Sequence, residues 1–216
     1  NPSAGFSIVN WTAGGSYGMQ SVGHGLNAKP AIVINKRTDA SGEWTVFTDV
    51  IDGSYDDLSL NSTRAALSAT GYYQADSSTF DLYHGHYTDN GWEFIAYCFA
   101  SVEGYSAFGS YTGNGSTDGP FIHTGFMPAF LMIKRTDSTS WWQMWDSSRN
   151  EYNAVDKFLA ANVSNLEYTG SATGDRFDFC ANGFKIRGSN NDINASSGSF
   201  AYICFAKNPF KIARAR

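Results

Sequence analysis

The sequence predicts an all-β fold: two tandem, internally duplicated antiparallel β-sandwich units, jelly-roll-like in type and packed together. First, residues 30–39 return as residues 128–137, each with proline, alanine, four mostly apolar residues and Lys-Arg-Thr-Asp. Second, short apolar runs alternate with turns rich in glycine and serine, which is typical of antiparallel strands. Third, helical periodicity is almost absent. The repeat divides the chain into residues 1–101 and residues 102–216.

Composition and charge exclude several classes of protein. The 216 residues include 16% aromatic and only 16% charged residues, and the net charge is −5. Because basic residues cluster only at the end of the chain, we expect no nucleic-acid partner. No apolar run approaches ~18 residues, so we expect no membrane insertion. Cys98, Cys180 and Cys204 are interpreted as buried thiols rather than disulfides or metal ligands, and no cofactor is predicted.

Each copy is predicted to open with a strand and a hairpin. Residues 6–12 and residues 108–112 form short strands that run into glycine-rich turns. The repeated stretch is continuously apolar rather than alternating, which predicts a strand buried on both faces. A small polar turn and a second strand follow, at residues 44–47 and residues 142–145. Strand, short turn and strand in this order indicate a β-hairpin in each copy.

The later segments of the two copies are less alike. The middle of each is irregular, and residues 156–162 are compatible with a single helical turn. Residues 80–82 and residues 184–186 alternate in polarity, which predicts half-exposed strands. Each copy then closes on its most apolar strand. The second copy carries an insertion at about residues 174–182, where residues 177–179 are an extra candidate strand.

The repeated Lys-Arg-Thr-Asp has two interpretations. It is either a ridge that contacts a receptor, or a strand end where the basic side chains lie over their neighbours and the aspartate caps a turn. Because duplication preserves scaffold better than it preserves a single site, we favour the strand end.

A metal site is considered at His84 and His86. Residues two apart on a strand point to one face, as two ligands of one metal must. No third ligand is evident nearby, so no metal is predicted.

A catalytic carboxylate pair is considered at Asp56 and Asp57, with Asp49 and Asp52 close in sequence. Glycoside hydrolysis uses two carboxylates at a defined separation. In loops rich in glycine and serine, however, such residues more often form turns. No nucleophile elbow, phosphate loop or Cys/His motif is present, so we predict that the chain is not an enzyme.

Aromatic and basic residues that occur in only one copy are the best candidates for binding. Loops that differ on a shared scaffold are where binding evolves most readily. The alternative is that these rings fill the joint between the copies or a subunit interface. The predicted glycan- or partner-binding residues are Tyr72, Tyr73, Tyr87, Trp92, Trp141, Arg149 and Tyr152.

Several stretches resemble a repeated domain found near the C-termini of large structural proteins of tailed bacteriophages. The resemblance covers almost the whole chain. It rests on residues 6–9 with a later Gly-His-Gly, on the repeated strand, on residues 103–106 before residues 108–115, and on residues 206–211.

The resemblance implies a virion component, the C-terminal part of a tail fibre or related appendage. Its expected partners are further copies of itself in a homotrimer, other virion proteins and glycans of the host surface. On this resemblance, residues 206–216 are a native C-terminus and residue 1 lies within a longer chain. A purely architectural protein for capsid decoration or tail assembly is the alternative, and a polysaccharide depolymerase is a further one.

Overall fold

The computed structural model describes residues 1–171 and residues 174–209, and it confirms the all-β fold class. Strands hold 46% of the residues and helices 3%, in several antiparallel sheets consistent with β-sandwich units. Among the residues described, no helix is long and apolar enough to cross a membrane.

Contacts divide the chain into two compact units. Unit 1 comprises Asn1–Ser62 and Ala66–Ser101, and unit 2 comprises Thr63–Ala65 and Val102–Arg216. The short segment at residues 63–65 therefore packs with unit 2, although the chain on both sides of it belongs to unit 1.

Unit 1 has a six-stranded and a three-stranded antiparallel sheet. Its strands are β1 (Phe6–Thr12), β2 (Gly18–Gly23), β3 (Ile32–Arg37), β4 (Trp44–Thr48), β5 (Asp56–Ser59), β6 (Leu67–Ser68), β7 (Tyr73–Ala75), β8 (Thr79–His84) and β9 (Glu93–Phe99). The larger sheet has the order β1-β9-β3-β4-β5-β6 and the smaller one β2-β8-β7.

Unit 2 has the same arrangement of sheets. Its described elements are β10 (Ser106–Thr112), β11 (Phe121–His123), β12 (Pro128–Arg135), β13 (Trp142–Asp146), β14 (Lys157–Ala160), β15 (Tyr168–Thr169), β16 (Phe177–Cys180), β17 (Gly183–Ile186), helix α1 (Asn191–Asn194) and β18 (Ser199–Ala206). The sheet orders are β10-β18-β12-β13-β14-β15 and β11-β17-β16. Positions in the two units can therefore be matched strand by strand.

The predicted hairpins are confirmed in both units. β3 pairs with β4, with Lys36 opposite Trp44, and β12 pairs with β13, with Lys134 opposite Trp142. The repeated strand is also covered on both faces, because the adjacent residues 32–33 are buried, as are the adjacent residues 133–134.

Aromatic rings packed between the sheets form a separate core in each unit. In unit 1, Phe47 stacks on Tyr73 with ring centroids 4.5 Å apart and an interplanar angle of 7°. In unit 2, Trp145 lies 4.6 Å from Phe177, edge to face. Phe47, Trp145 and Phe177 are completely buried. Burial of a phenylalanine side chain contributes about 1.5–3 kcal/mol, so these rings are major contributors to the stability of each unit.

The cysteines are free thiols, as predicted. Cys98 and Cys204 lie on the closing strands β9 and β18, where every second residue points into the core. Burial raises the pKa of each of these two thiols to about 12. Cys180 is only half-buried, so its interpretation as a buried thiol was too strong.

The helical turn considered at residues 156–162 is wrong. Lys157–Ala160 is strand β14, which pairs with β13 and β15. Phe158 is buried in the core cluster of unit 2, and alternation along a strand places it there. The one α-helix in the described residues is α1, where the Asn190 side chain caps the first turn by accepting from the Asp192 amide.

Two other predictions about strands need correction. Residues 80–82 are all buried rather than half-exposed, because Gln74 on the neighbouring strand covers Asp81 and donates to its carboxylate at 2.7 Å. Residues 177–179 do lie in a strand, β16, but it is not an extra one. β16 pairs with β17 as β7 pairs with β8, so it is the counterpart of Tyr73–Ala75.

Candidate functional site

A concave pocket opens in unit 1 between the β3–β4 hairpin and the loop that joins β8 to β9. Its volume is about 240 Å³. Strand residues supply an apolar floor and several polar groups, and the loop supplies two aromatic rings. We call it the mouth pocket, and its lining includes Asn35, Arg37, Glu43, Phe47, Tyr87 and Trp92.

Tight turns in the β8–β9 loop set the positions of both loop aromatics. Gly85 has a φ of +89°, where a side chain is strained, and an added Cβ would lie 2.3 Å from a tyrosine ring. The Gly85 amide donates to the Thr88 carbonyl at 2.7 Å, and the Trp92 amide donates to the Asp89 carbonyl at 3.1 Å. These bonds close the loop on itself, which holds Tyr87 and Trp92 against the strands.

Both loop aromatics contact strand side chains. Tyr87 lies edge-on to Phe47, with ring centroids 4.8 Å apart. The guanidinium carbon of Arg37 lies 3.7 Å from the centroid of the Trp92 ring, which is a cation–π contact. Tyr87 and Trp92 were predicted as binding residues, and the structure places both in one pocket, half-buried.

Arg37 is held in place by Asp39. Its Nε and Nη2 donate to the two oxygens of the Asp39 carboxylate at 2.7 and 2.9 Å. Hydrogen bonding from Arg37 lowers the pKa of Asp39 to about 2. The third nitrogen of the guanidinium, Nη1, makes no hydrogen bond to any residue that the structure describes. Arg37 is therefore oriented by one carboxylate, and the N–H donors of its Nη1 remain available for another acceptor.

Asn35 contributes a second donor to the mouth pocket. It is 4% exposed, and its Oδ1 accepts from Trp11 Nε1 at 3.2 Å. Its Nδ2 has no hydrogen-bond partner within the described part of the chain. In unit 2, the matching position is the apolar Ile133. The polar group is thus a feature of the first unit alone.

The size and chemistry of the mouth pocket suit a small, hydroxylated ligand. Pockets for drug-sized ligands occupy ~300–1,000 Å³, so a volume of about 240 Å³ fits a single ring. Aromatic surface supports the apolar face of such a ring. Arg37 and Asn35 supply donors, and the Glu43 carboxylate supplies acceptors at the rim.

The two adjacent tyrosines of the prediction lie in different environments. Tyr72 is 40% exposed, on the outer face of the small sheet of unit 1, and stacks on His86 at 4.1 Å. Tyr73 is 2% exposed, and burial raises its pKa well above the usual value. Its prediction as a binding residue in a polar loop is wrong, because it belongs to β7 and fills the core where unit 2 has Phe177.

The other three predicted residues belong to unit 2 and do not line the mouth pocket. Trp141 is half-buried against Tyr168, with ring centroids 5.2 Å apart. Arg149 forms ion pairs with the carboxylates of Asp146 and Glu167. Tyr152 is 81% exposed.

Sequence reasoning missed Arg37, Asn35 and Glu43 as lining residues. The Lys-Arg-Thr-Asp motif is interpreted as scaffold because it occurs in both copies, and the ion pair between Arg37 and Asp39 does have a counterpart between Arg135 and Asp137. The sequence did contain one signal for the polar lining of the mouth pocket: Asn35 is a single polar residue within an otherwise apolar run.

The paired histidines do not assemble a metal site. His84 is 4% exposed, and its Nε2 lies 3.7 Å from the Asp89 carboxylate. His86 is exposed and stacks on Tyr72 instead. Within residues 1–171 and 174–209, no three His, Cys, Asp or Glu side chains are grouped as metal ligands would be.

The adjacent aspartates do not face a common ligand. Asp56 and Asp57 are neighbours on β5, so their side chains point to opposite faces of the sheet. Burial, with Asp52 and Asp57 nearby, raises the pKa of Asp56 to about 6. The carboxylate pair considered for glycoside cleavage is therefore not formed by these two residues.

Comparison with known proteins identifies the family of the chain. No curated protein matches it, and no solved structure matches it either. One family model does match, over residues 1–209. The chain therefore belongs to the family described as Domain of unknown function (DUF7483).

Proposed function

We propose that the chain is a non-enzymatic structural protein of a phage virion, the C-terminal part of a tail fibre or related appendage, which recognises glycans of the host surface through the mouth pocket. The mouth pocket is the observation that carries this proposal. The assignment to a virion rests on the resemblance of the sequence to domains of tailed-phage structural proteins.

The mouth pocket supports glycan recognition by the kind of groups that it combines. Sugar rings have an apolar face that stacks on aromatic side chains and hydroxyls that exchange hydrogen bonds with polar ones. Trp92 and Tyr87 supply the rings, and Asn35 and Glu43 supply polar groups. Because Asp39 balances the charge of Arg37, the pocket does not require a charged ligand.

A single pocket of this size gives weak binding, and valency compensates for it. Copies of the chain in a homotrimer would engage several glycans at once, and linked sites bind far more tightly than each site alone. Other virion proteins are the further partners expected for such an appendage.

The architectural alternative has an observation of its own. Tyr152 and Leu166 in unit 2 are 81% and 89% exposed, which suits contacts with another protein. A protein for capsid decoration or tail assembly would use such residues and leave the mouth pocket without a ligand.

A glycan array with matched variants tests the proposal. We expect wild type to bind a subset of glycans and Trp92→Ala to lose about tenfold or more in affinity, corresponding to about 1.4 kcal/mol. Tyr152→Ala removes an exposed aromatic outside the pocket and should bind as wild type does. If the wild type bound no glycan on the array, glycan recognition would be overturned and the architectural role would remain. New reducing ends after incubation with host polysaccharide would instead indicate a depolymerase.

A further inference from the structure

The position of the mouth pocket is occupied in unit 2 by the chain itself. In unit 1, the connection from β8 to β9 spans residues 85–92, whereas the matching connection from β17 to β18 spans residues 187–198. The longer connection contains α1. This helix packs on β12 as the β8–β9 loop, through Trp92, packs on β3.

The backbone of α1 provides the partners that line this position in unit 2. Arg135 Nη1 donates to the Asn191 carbonyl at 3.2 Å. Tyr111 donates its hydroxyl to the Ile193 carbonyl at 2.7 Å. Ile193 is completely buried in the same hydrophobic cluster as Ile133 and Trp145. In unit 2, the position that corresponds to the mouth pocket is therefore filled by two groups. One is a backbone carbonyl that accepts from the arginine, and the other is an aliphatic side chain that packs on the apolar floor.

The two arginines are presented in the same way. Arg135 Nε and Nη2 bind Asp137, as Arg37 Nε and Nη2 bind Asp39, so Nη1 of each is the nitrogen that makes no bond to the aspartate. In unit 2 that donor holds a backbone carbonyl. In unit 1 it has no acceptor among the described residues. The second unit thus indicates which chemical group the first unit leaves room for.

We propose that the mouth pocket binds the acetamido group of an N-acetylated amino sugar. Arg37 Nη1 donates to the acetamido oxygen, and the acetamido methyl packs on the aromatic floor formed with Phe47 and Phe94, in the place that Ile193 takes in unit 2. This inference rests on the proposed glycan recognition and names the class of sugar.

A sugar suits the mouth pocket better than a peptide, although both carry secondary amides. The volume of about 240 Å³ is below the ~300 Å³ at which pockets for drug-sized ligands begin, which favours one ring over a chain segment. The polar lining also exceeds what a peptide amide needs. Asn35, Glu43 and Thr45 add donors and acceptors that match the hydroxyls of a sugar ring.

Binding of small probes to the whole chain tests the inference. The probes are N-acetylglucosamine, glucose, glucosamine and N-acetyl-alanine amide, measured by calorimetry or ligand-observed NMR. We expect N-acetylglucosamine to bind at least tenfold more tightly than glucose and glucosamine. Arg37→Met should remove this preference. The matched control is Arg135→Met, which breaks the equivalent ion pair in unit 2 and should keep the preference.

The outcomes separate the inference from the function on which it rests. Equal binding of all three sugars would overturn the acetamido assignment and leave glycan recognition intact. Binding of N-acetyl-alanine amide without any sugar would identify a peptide site and overturn both. Loss of the preference in Arg135→Met as well as in Arg37→Met would show that Arg37 has no special role, and would also overturn the inference. The comparison among wild-type affinities does not depend on the folding of any variant.

Discussion

In unit 1 the β8–β9 loop leaves a pocket beside Arg37, whereas in unit 2 the longer β17–β18 connection places α1 beside Arg135. The strands beneath are alike: the sheet orders match, and the hairpins pair in the same register. The ion pair at the strand end is also repeated. The difference therefore lies in the connections between strands, and the connection that is four residues shorter leaves the mouth pocket open.

The outer faces of the small sheets differ in a similar way. Asp81 on β8 matches Lys185 on β17, because each lies opposite the second residue of the neighbouring strand, β7 or β16. Asp81 accepts from Gln74, whereas Lys185 forms an ion pair with Asp118 at 2.8 Å. Opposite charges at one backbone position show that the fold depends on the inward-facing apolar residues and tolerates exchange on the other face.

The largest effect is expected from Tyr73→Ala, which tests whether Tyr73 and Phe177 have the same role in the two cores. Removing the ring leaves a cavity against Phe47, and such changes cost about 3–5 kcal/mol. Urea denaturation measures the loss. Cys98 is buried in the same cluster, so it should react faster with a thiol reagent when this cluster is destabilised.

Tyr73→Phe is the matched control, since it converts the position to the residue found in unit 2. We expect a change of less than about 1 kcal/mol, because the ring is kept. If Tyr73→Phe were as destabilising as Tyr73→Ala, the hydroxyl group rather than ring packing would be essential, and the match with Phe177 would fail.

The strongly patterned parts of the fold could be predicted from the sequence, and the short strands could not. The hairpin strand is long and apolar, and similar sequences for it occur at residues 30–39 and 128–137, so the sequence predicts its position and burial directly. β7 has only three residues, Tyr73–Ala75, between turn-forming residues, so the sequence predicts a loop at this position. Its pairing with β8 decides its burial, and pairing is a tertiary property.

The candidate site was predictable only in part, for a related reason. Tyr87 and Trp92 were found because the loops of the two copies differ. Arg37 was not, because the sequence around it is repeated at Arg135. What distinguishes these arginines is whether a carbonyl from another part of the chain reaches Nη1, as Asn191 does in unit 2. No local pattern carries that information.

A smaller effect is expected on the pH dependence of the free energy of unfolding, and it distinguishes Lys134 from the matching Lys36. Each donates from Nζ to the carbonyl of the next residue, but Lys134 is completely buried and Lys36 is not. Burial lowers the pKa of Lys134 from 10.5 to about 8. Between these values the unfolded chain binds more protons than the folded one, so the free energy of unfolding rises with pH. We expect a rise of about 1–2 kcal/mol between pH 8 and pH 9.5.

Lys134→Met should remove this rise, and Lys36→Met should retain it. Urea denaturation at a series of pH values measures both. A rise that persists in Lys134→Met would assign the pH dependence to another group and remove this difference between the units.

The smallest effect is expected from Arg135→Met compared with Arg37→Met, which tests whether α1 depends on its arginine. Both substitutions break an exposed ion pair, and such pairs contribute little to stability. Arg135→Met also removes the hydrogen bond to Asn191, so we expect it to cost about 1 kcal/mol more than its counterpart. Hydrogen exchange locates the change: the Ile193 and Asn194 amides, which donate to Asn190, should exchange faster only in Arg135→Met. Equal exchange in both variants would mean that α1 stays in place without Arg135. The hydrogen bond between Arg135 and the Asn191 carbonyl would then be incidental, and unit 2 would no longer support the acetamido ligand proposed for the mouth pocket.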